Sequence, residues 1–486
     1  MTIPQLRVPF VFVEFDSSRA VQGPSILAYQ TLMIGQRLSS GTKPEKQVDL
    51  VTSADQAGDF YGKGSQLHRM AEFYFNGNKV TKTFFASLDD LVAGVLATGT
   101  VTFTGPATKD GSVIIYIGGR RIVVGVTDGD SETIVAAAVV TAVTALTISP
   151  VTAGNVAGVV TFTSKHKGEA GNDIDIRLNY NDGEVLPIGI TAVIVGMASG
   201  AGNPLIQGII DILGEEQYNI IIAPYNDAVN LTAIETELVD RFGPIRQNDG
   251  VYVTSKRGTV GTLVTFGTGR NSPHVTIMHS EKILNLLEEF SASYGAQLAL
   301  EGQADPARPF QTLALSGITP PSSVEEFTIL ENDQLLNSGI ATFQVDRGGI
   351  VRIQRAITMF QTNAASAPST AFLDVNTLLT LMFLRFDFRT TILNKYPRAK
   401  LADDGILIPV DQSIITPKIG RAEAVAIFRN WESIGLVENI DQFKNDLVVV
   451  RNVSDPNRLD FLIPPDLINQ FRVGAATIQF LLSQPV

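Results

Sequence analysis

Nucleophilic hydrolysis needs a base within hydrogen-bond reach of a serine or threonine, and four histidines are available for that part. His68 lies in Gln66-Leu-His-Arg-Met, a segment that reads as helical, and His166 lies in Lys165-His-Lys167. His274 and His279 flank an apolar run, with Ser280 and Glu281 directly after it. A spacing of five along a strand puts the two rings on opposite faces, which argues against a shared metal. His279 beside Ser280 and Glu281 is the better catalytic candidate, although a capped helix start accounts for Ser280 and Glu281 more simply.

Other chemistries find less. Gly258-Thr-Val-Gly261 and Gly267-Thr-Gly269 stand near a strand-to-helix region, but the phosphate loop ending in Gly-Lys-Ser/Thr and the dinucleotide fingerprint are both absent, so these read as turn glycines. Asp128-Gly-Asp-Ser-Glu132 and Gly171-Asn-Asp-Ile-Asp175 place carboxylates together without the twelve-position calcium loop, and solvated turns are the expectation. Phe383, Phe386 and Phe388 interleave with Arg385 and Arg389, a pattern able to stack bases. Their helical spacing and a formal charge of -12 favour core packing plus a subunit contact instead. No direct nucleic-acid partner is therefore expected. With no cysteine, thiolate catalysis, disulfides and cysteine zinc sites are excluded together. No cofactor or metal is expected.

The elements that would position these residues come from a chain of 486 residues, 44% hydrophobic and 18% charged, enough for roughly two to four domains. Met1-Thr-Ile-Pro-Gln has no basic leader followed by an apolar run, so no secretory signal is expected. The longest apolar run, Ile134 to Leu146, is short of the ~20 residues that span a bilayer and reads as a buried helix; no lipid insertion is expected. From about residue 97 to 195 the chain turns rich in Gly, Thr and Val, with alternating runs such as Gly99–Thr104, Val113–Ile117 and Val159–Thr163. This texture predicts a β-rich module inserted into a parent α/β domain formed by 23–96 and 196–360.

In the parent domain, Tyr218–Ala223, Val251–Thr254 and His274–Met278 read as strands separated by helix-sized crossovers. Leu231, Ile234, Leu238 and Phe242 form one stripe on the first crossover, and a long helix is expected from Lys282 to Leu300. That alternation predicts a mostly parallel, doubly covered sheet. A hairpin around Asp346-Arg-Gly-Gly349 follows. An α+β C-terminal domain, 361–462, carries helices at Val375–Asn394 and Arg421–Ile434 and a strand at Leu447–Val450. An N-terminal arm (1–22) and a C-terminal strand and arm (463–486) complete the order.

The two ends share an unusual texture. Leu6, Val8, Phe10 and Phe12 alternate near the start, and Ala476, Ile478, Phe480 and Leu482 fall on one face at period two near the end. Either both tails pair inside their own domain, or each subunit lends them to a neighbour's sheet and so makes a polymer.

Several segments carry a resemblance: Phe60 to Ala71, Gly99 to Gly105 with Ile115 to Gly119, Gly171 to Asn179, and above all Asp455 to Val473. They resemble the tail sheath proteins of contractile-tailed, Mu-like bacteriophages over nearly the whole chain. The resemblance implies a structural subunit, not an enzyme, that forms sixfold rings stacked around a tail tube. In that reading the arms at Leu6–Phe12 and Ala476–Leu482 complete a neighbour's sheet, and contraction drives the tube through the host envelope to deliver the genome. Its implied partners are further copies of itself, the tail tube protein, and baseplate and tail terminator proteins. Its implied place is the virion, after assembly in the host cytoplasm. The family's central region has been likened to a subtilisin-type scaffold, yet none of the four histidines here precedes Gly and no Gly-Thr-Ser-x-Ala/Met signature occurs. An α/β hydrolase and a surface adhesin are the competing readings; the first needs a clustered base and nucleophile, the second a stalk, repeats or a signal.

Overall fold

Runs of β-branched and aliphatic residues such as Ile220-Ile-Ile222 can be buried only in a sheet covered on both faces, and such runs set the architecture. A computed structural model describes residues 27–407, 409 and 412–482. They fall into two units, Ala28–Met382 with the segment beginning at Asn469, and Phe383–Ile468.

The larger unit opens with β1 (Gln30–Gln36), β2 (Val48–Leu50), α1 (Ala54–Tyr61), α2 (Gln66–Gly77) and β3 (Lys82–Leu88). The β-rich stretch then supplies β4 (Leu96–Thr104), β5 (Gly111–Ile117), β6 (Arg120–Val126), α3 (Glu132–Ala145), β7 (Val151–Val156), β8 (Val159–Lys167), β9 (Ile176–Leu178) and β10 (Thr191–Ala198). Alternation resumes with α4 (Gln207–Ile210), β11 (Ile220–Ile222), α5 (Ala228–Phe242), β12 (Val251–Lys256), α6 (Val260–Thr268), β13 (Val275–His279) and α7 (Leu287–Ala304). Helix α8 (Ile329–Leu336) and the hairpin of β14 (Thr342–Val345) and β15 (Val351–Arg355) lead to α9 (Val375–Lys395), which begins in this unit.

Strands pair in the order β13-β12-β11-β1-β3-β2, all parallel except β2 at the edge. Leu231, Ile234 and Leu238 of the predicted α5 stripe are fully buried, and Phe242 is half-buried. The helix expected from Lys282 starts instead at Leu287. Ser280 and Glu281 therefore cap nothing: Lys282 takes a positive φ of 59°, and the Glu281 carboxylate accepts the Gly258 N–H at 2.9 Å. The α7 start is tied by Glu289, whose Oε2 accepts the Leu286 N–H at 3.3 Å.

The β-rich stretch builds two antiparallel sheets, β10-β4-β8-β7 and β6-β5-β9, against α3. Their shared core includes Val101, Phe103, Ile115, Val135, Val139 and Phe162. Helix α3 is buried on one face only, through Val135, Ala136, Val139 and Val143, while Ile134 faces solvent.

This module is seated on the parallel sheet by apolar and ionic contacts together. Leu286, just before α7, packs into the module's core. Arg120 of β6 reaches Glu289 at 2.6 Å. At the preceding residue, Arg69 of α2 places Nε at 3.1 Å and Nη2 at 2.6 Å from the same oxygen of Glu288. Both carboxylates are buried and both sit in the first turn of an 18-residue helix, where the aligned peptide dipoles favour negative charge.

The smaller unit holds the rest of α9, the two-residue strands β16 (Lys400–Leu401) and β17 (Ile414–Ile415), α10 (Pro417–Ser433), β18 (Val437–Glu438) and α11 (Ile440–Asp446). It ends with β19 (Val448–Arg451), β20 (Leu459–Leu462) and β21 (Asp466–Leu467). Among the described residues, each of its sheets is a two-stranded ribbon: β16-β17, β18-β21 and β19-β20. The tryptophan of α10, Trp431, donates to Asp387 Oδ2 at 2.7 Å, and Phe428 stacks on Phe443 at 4.1 Å. Phe383, Phe386 and Phe388 are half-buried, with Phe388 edge-on to Phe461, so they pack rather than present a stacking platform.

Replacing Glu288 by Gln leaves the buried Arg69 guanidinium without its counter-charge. Unfolding in urea should lose about 3–5 kcal/mol relative to the native chain. An unchanged midpoint would show that the pair does not stabilise the seat of the module.

Candidate assembly site

Open parallel sheets bind ligands beyond their carboxyl ends where strand order reverses, which here is between β1 and β11. That crevice is filled by side chains. Gln66, at the head of α2, accepts the Gln36 N–H at 2.9 Å and the Tyr225 hydroxyl at 3.1 Å. Its own N–H donates to His166 Nε2 at 3.1 Å, and His166 Nδ1 lies 3.1 Å from Asp90 Oδ1. Asp90 also takes the Lys167 N–H at 3.0 Å and the Gln36 amide at 2.8 Å. About 20 Å³ of space remains beside them, on the order of one water molecule.

The His166–Asp90 pair has two parts of a triad, but a backbone amide occupies the nitrogen that would activate a nucleophile. Nδ1 donates to the carboxylate and Nε2 accepts from Gln66, so the ring is a neutral strut between module and sheet. The other histidines are dispersed. His68 Nδ1 accepts the Gly64 N–H at 3.0 Å, and any side chain on Gly58 would meet its ring at 3.0 Å. His274 packs on Phe242 with ring centroids 4.9 Å apart. His279 lies between Phe343 and Phe327, at 4.5 and 5.0 Å.

A polar cleft of about 380 Å³ lies beyond β12, lined in part by Asp173, Asn226, Lys256 and Arg257. Its cations are already engaged: Lys256 donates to Asn226 Oδ1 at 2.9 Å, and Arg257 donates to the Ile283 carbonyl at 2.6 Å. Among the described residues, no group of His, Asp and Glu is placed to hold a metal, and no helix is long and apolar enough to cross a membrane.

The surface with unmet physical demand is the C-terminal arm. Residues 468–482 form no strand within the chain. Ile478, Phe480 and Leu482 are 87%, 78% and 82% exposed, and Ala476 is exposed as well. The strand-like pattern read from these residues is therefore an apolar face with no cover in its own subunit. Leu6, Val8, Phe10 and Phe12 lie outside the described residues. Sequence reasoning passed over one residue of the arm, Arg472, which is only 14% exposed and 3.0 Å from Asp374. The signal was a lone cation within an otherwise apolar tail.

The switch-point crevice is filled and the described end of the chain is bare and apolar, and comparison with known proteins gives the family. The model of the phage tail sheath central domain matches residues 199–359, and that of the phage tail sheath C-terminal domain matches residues 367–481. The Mu-like prophage FluMu tail sheath protein of Haemophilus influenzae is 38% identical over 477 residues, 98% of this chain and 98% of that protein. The chain belongs to the phage tail sheath family, and it is a structural protein rather than an enzyme. Among solved structures, the sheath tail protein of Desulfitobacterium hafniense covers 94% of this chain with all of its own length, at 14% identity and a TM-score of 0.48. The contracted-state sheath of the extracellular contractile injection system PVC covers 98% of each chain, at 10% identity and a TM-score of 0.49.

Burial makes three of the histidines acid-sensitive. It lowers the His279 pKa to about 3, against a weaker opposing pull from Asn332, and lowers His68 to about 4 with help from the Arg69 charge. His166 is also lowered by burial, with Asp90 opposing. In each case the unfolded chain takes up a proton near pH 6.5 and the folded chain does not. Their stability contribution is whole above that pH and is lost progressively as pH falls toward the folded values. Replacing His279 by Gln should flatten the stability profile between pH 6 and 4 by about 1.4 kcal/mol per pH unit, measured by urea unfolding. A slope equal to that of the native chain would remove His279 from the acid response.

Proposed function

We propose that the protein polymerises around a tail tube by strand exchange of its terminal arms and contracts to drive that tube through the host envelope for genome delivery. The carrying observation is the uncovered face of Ala476, Ile478, Phe480 and Leu482. Each of the three larger side chains contributes about 1.5–3 kcal/mol when buried, which favours a neighbour that accepts them. A fitting acceptor is the β19-β20 ribbon of the smaller unit, four residues in each strand, with Val448, Val450 and Leu462 exposed. Two-stranded ribbons are marginal alone and gain from added strands. Leu6, Val8, Phe10 and Phe12 are assigned to the same exchange on their alternating pattern.

Main-chain ladders survive rotation of whole subunits so long as the connecting arm bends, which suits a sheath that rearranges without coming apart. Sixfold rings stacked helically, contacts to the tube, baseplate and tail terminator proteins, and assembly in the host cytoplasm before incorporation into the virion complete the reading. In the same reading the segments 97–195 and 361–462 are an outer module and a C-terminal domain. The parallel sheet is a subtilisin-type scaffold whose catalytic crevice is closed by Gln66, His166 and Asp90. Neither a hydrolase nor an adhesin finds a supporting observation of comparable weight.

Deletion of residues 474–486 should leave a soluble subunit with an unchanged melting temperature that no longer forms polymer in sedimentation or electron microscopy. Normal tubes from that variant would overturn strand exchange by the C-terminal arm.

A further inference from the structure

An arm that adds a strand to a neighbour must leave its own subunit at a defined point, or the entropy of the free chain offsets what pairing gains. The exit point is built. Asp374, just before α9, accepts two hydrogen bonds from Arg355, Nε to Oδ1 and Nη2 to Oδ2, each 3.0 Å long. The same Oδ1 accepts from Arg472 Nη2 at 3.0 Å. Asn376 Oδ1 takes a further bond from Arg472 at 3.3 Å, and Gln311 Oε1 takes one at 3.3 Å. Asn376 is itself fully buried, with its amide on the carbonyls of Pro306 and Arg308 at 2.9 and 2.7 Å. On the chain side, Gln470 donates to the Ala307 carbonyl at 3.2 Å, and Gln311 donates to the Phe471 carbonyl at 3.4 Å. Beyond Arg472 come Val473, Gly474, Ala475 and Ala476, all exposed, and a Cβ on Gly474 would meet the Phe471 ring at 3.3 Å.

We infer that Arg472 is the positioning residue of the C-terminal arm: its guanidinium clasps the arm's root to Asp374 and Asn376, and residues 473–476 are the pivot about which the arm swings. This rests on the strand-exchange reading given under the proposed function. Two guanidiniums share one carboxylate at the clasp, so removing Arg472 leaves a balanced Arg355–Asp374 pair and an intact body. Removing the Asp374 charge frees both cations. The partner whose position the clasp defines is a second copy of this chain, because the register of a strand-exchanged ladder depends on where the donor strand is tethered.

The test uses the full-length soluble subunit and two variants, Arg472→Gln and Asp374→Asn. Chymotrypsin cleaves after Phe471 in the clasped root and after Phe480 in the free arm, so Phe480 is an internal control. In the native chain Phe480 should be cut well before Phe471. In both variants the Phe471 rate should rise about tenfold with the Phe480 rate unchanged, since cleavage follows the population of the released root. Melting of Arg472→Gln should match the native protein, and its polymer should need a several-fold higher subunit concentration. Equal cleavage at the two sites in the native chain would overturn the clasp. Faster root cleavage in Arg472→Gln with native polymerisation would overturn its role in positioning. Polymer formation by the variant lacking 474–486 would sink strand exchange itself while leaving the cleavage comparison standing.

Discussion

Burying Glu288 and Glu289 in the first turn of α7 places two negative charges where water does not reach them, and each must then be met by a cation brought from elsewhere in the chain. Arg69 comes from α2, which lies against the parallel sheet, and Arg120 comes from the β-rich module. One helix end thus ties the parallel sheet to the β-rich stretch. Apolar contacts alone, such as Leu286 in the module's core, tolerate sliding; a charge that loses its partner in the interior does not.

The same junction leaves the parallel sheet no open crevice at the point where the strand order reverses. Its switch-point crevice is occupied by Gln66, Tyr225, Gln36, Asp90 and His166, all joined by hydrogen bonds. A histidine and an aspartate at 3.1 Å look catalytic in isolation. What decides their role is the third partner, and here it is a main-chain N–H, which donates a hydrogen bond but is no nucleophile. Side chains that would have served a substrate instead fix the module to the sheet, in keeping with a family whose members are structural.

At the other end of the larger unit the logic is reversed. Arg472 and Gln470 tie the chain to the larger unit, and beyond them apolar residues are left bare. A protein ordinarily avoids a flexible apolar tail, since it invites unspecific pairing. Under the proposed strand exchange, the exposure that would be a liability in a monomer becomes the interaction itself in a polymer.

Much of the fold could be read from residue order, because periodicity reports burial directly. The stripe of Leu231, Ile234 and Leu238, the all-apolar strand around Ile220–Ile222, and the alternation at Gly99–Thr104 each correspond to an element with the expected face inward. The failure of the four histidines to cluster was legible as well, whereas the tail's period-two pattern meets no strand and no cover among the described residues. The start of α7 was not. A helix was expected from Lys282, but Glu281 is taken by the Gly258 amide, a residue more than twenty positions away, and the helix begins at Leu287. The ion pairs Arg69–Glu288 and Arg120–Glu289 and the clasp of Arg472 on Asp374 were equally hidden. Local pattern depends on which face of an element leaves water, which neighbouring residues settle among themselves. The pairing of a buried charge depends on which distant segment is brought to it, and only the packed tertiary structure decides that.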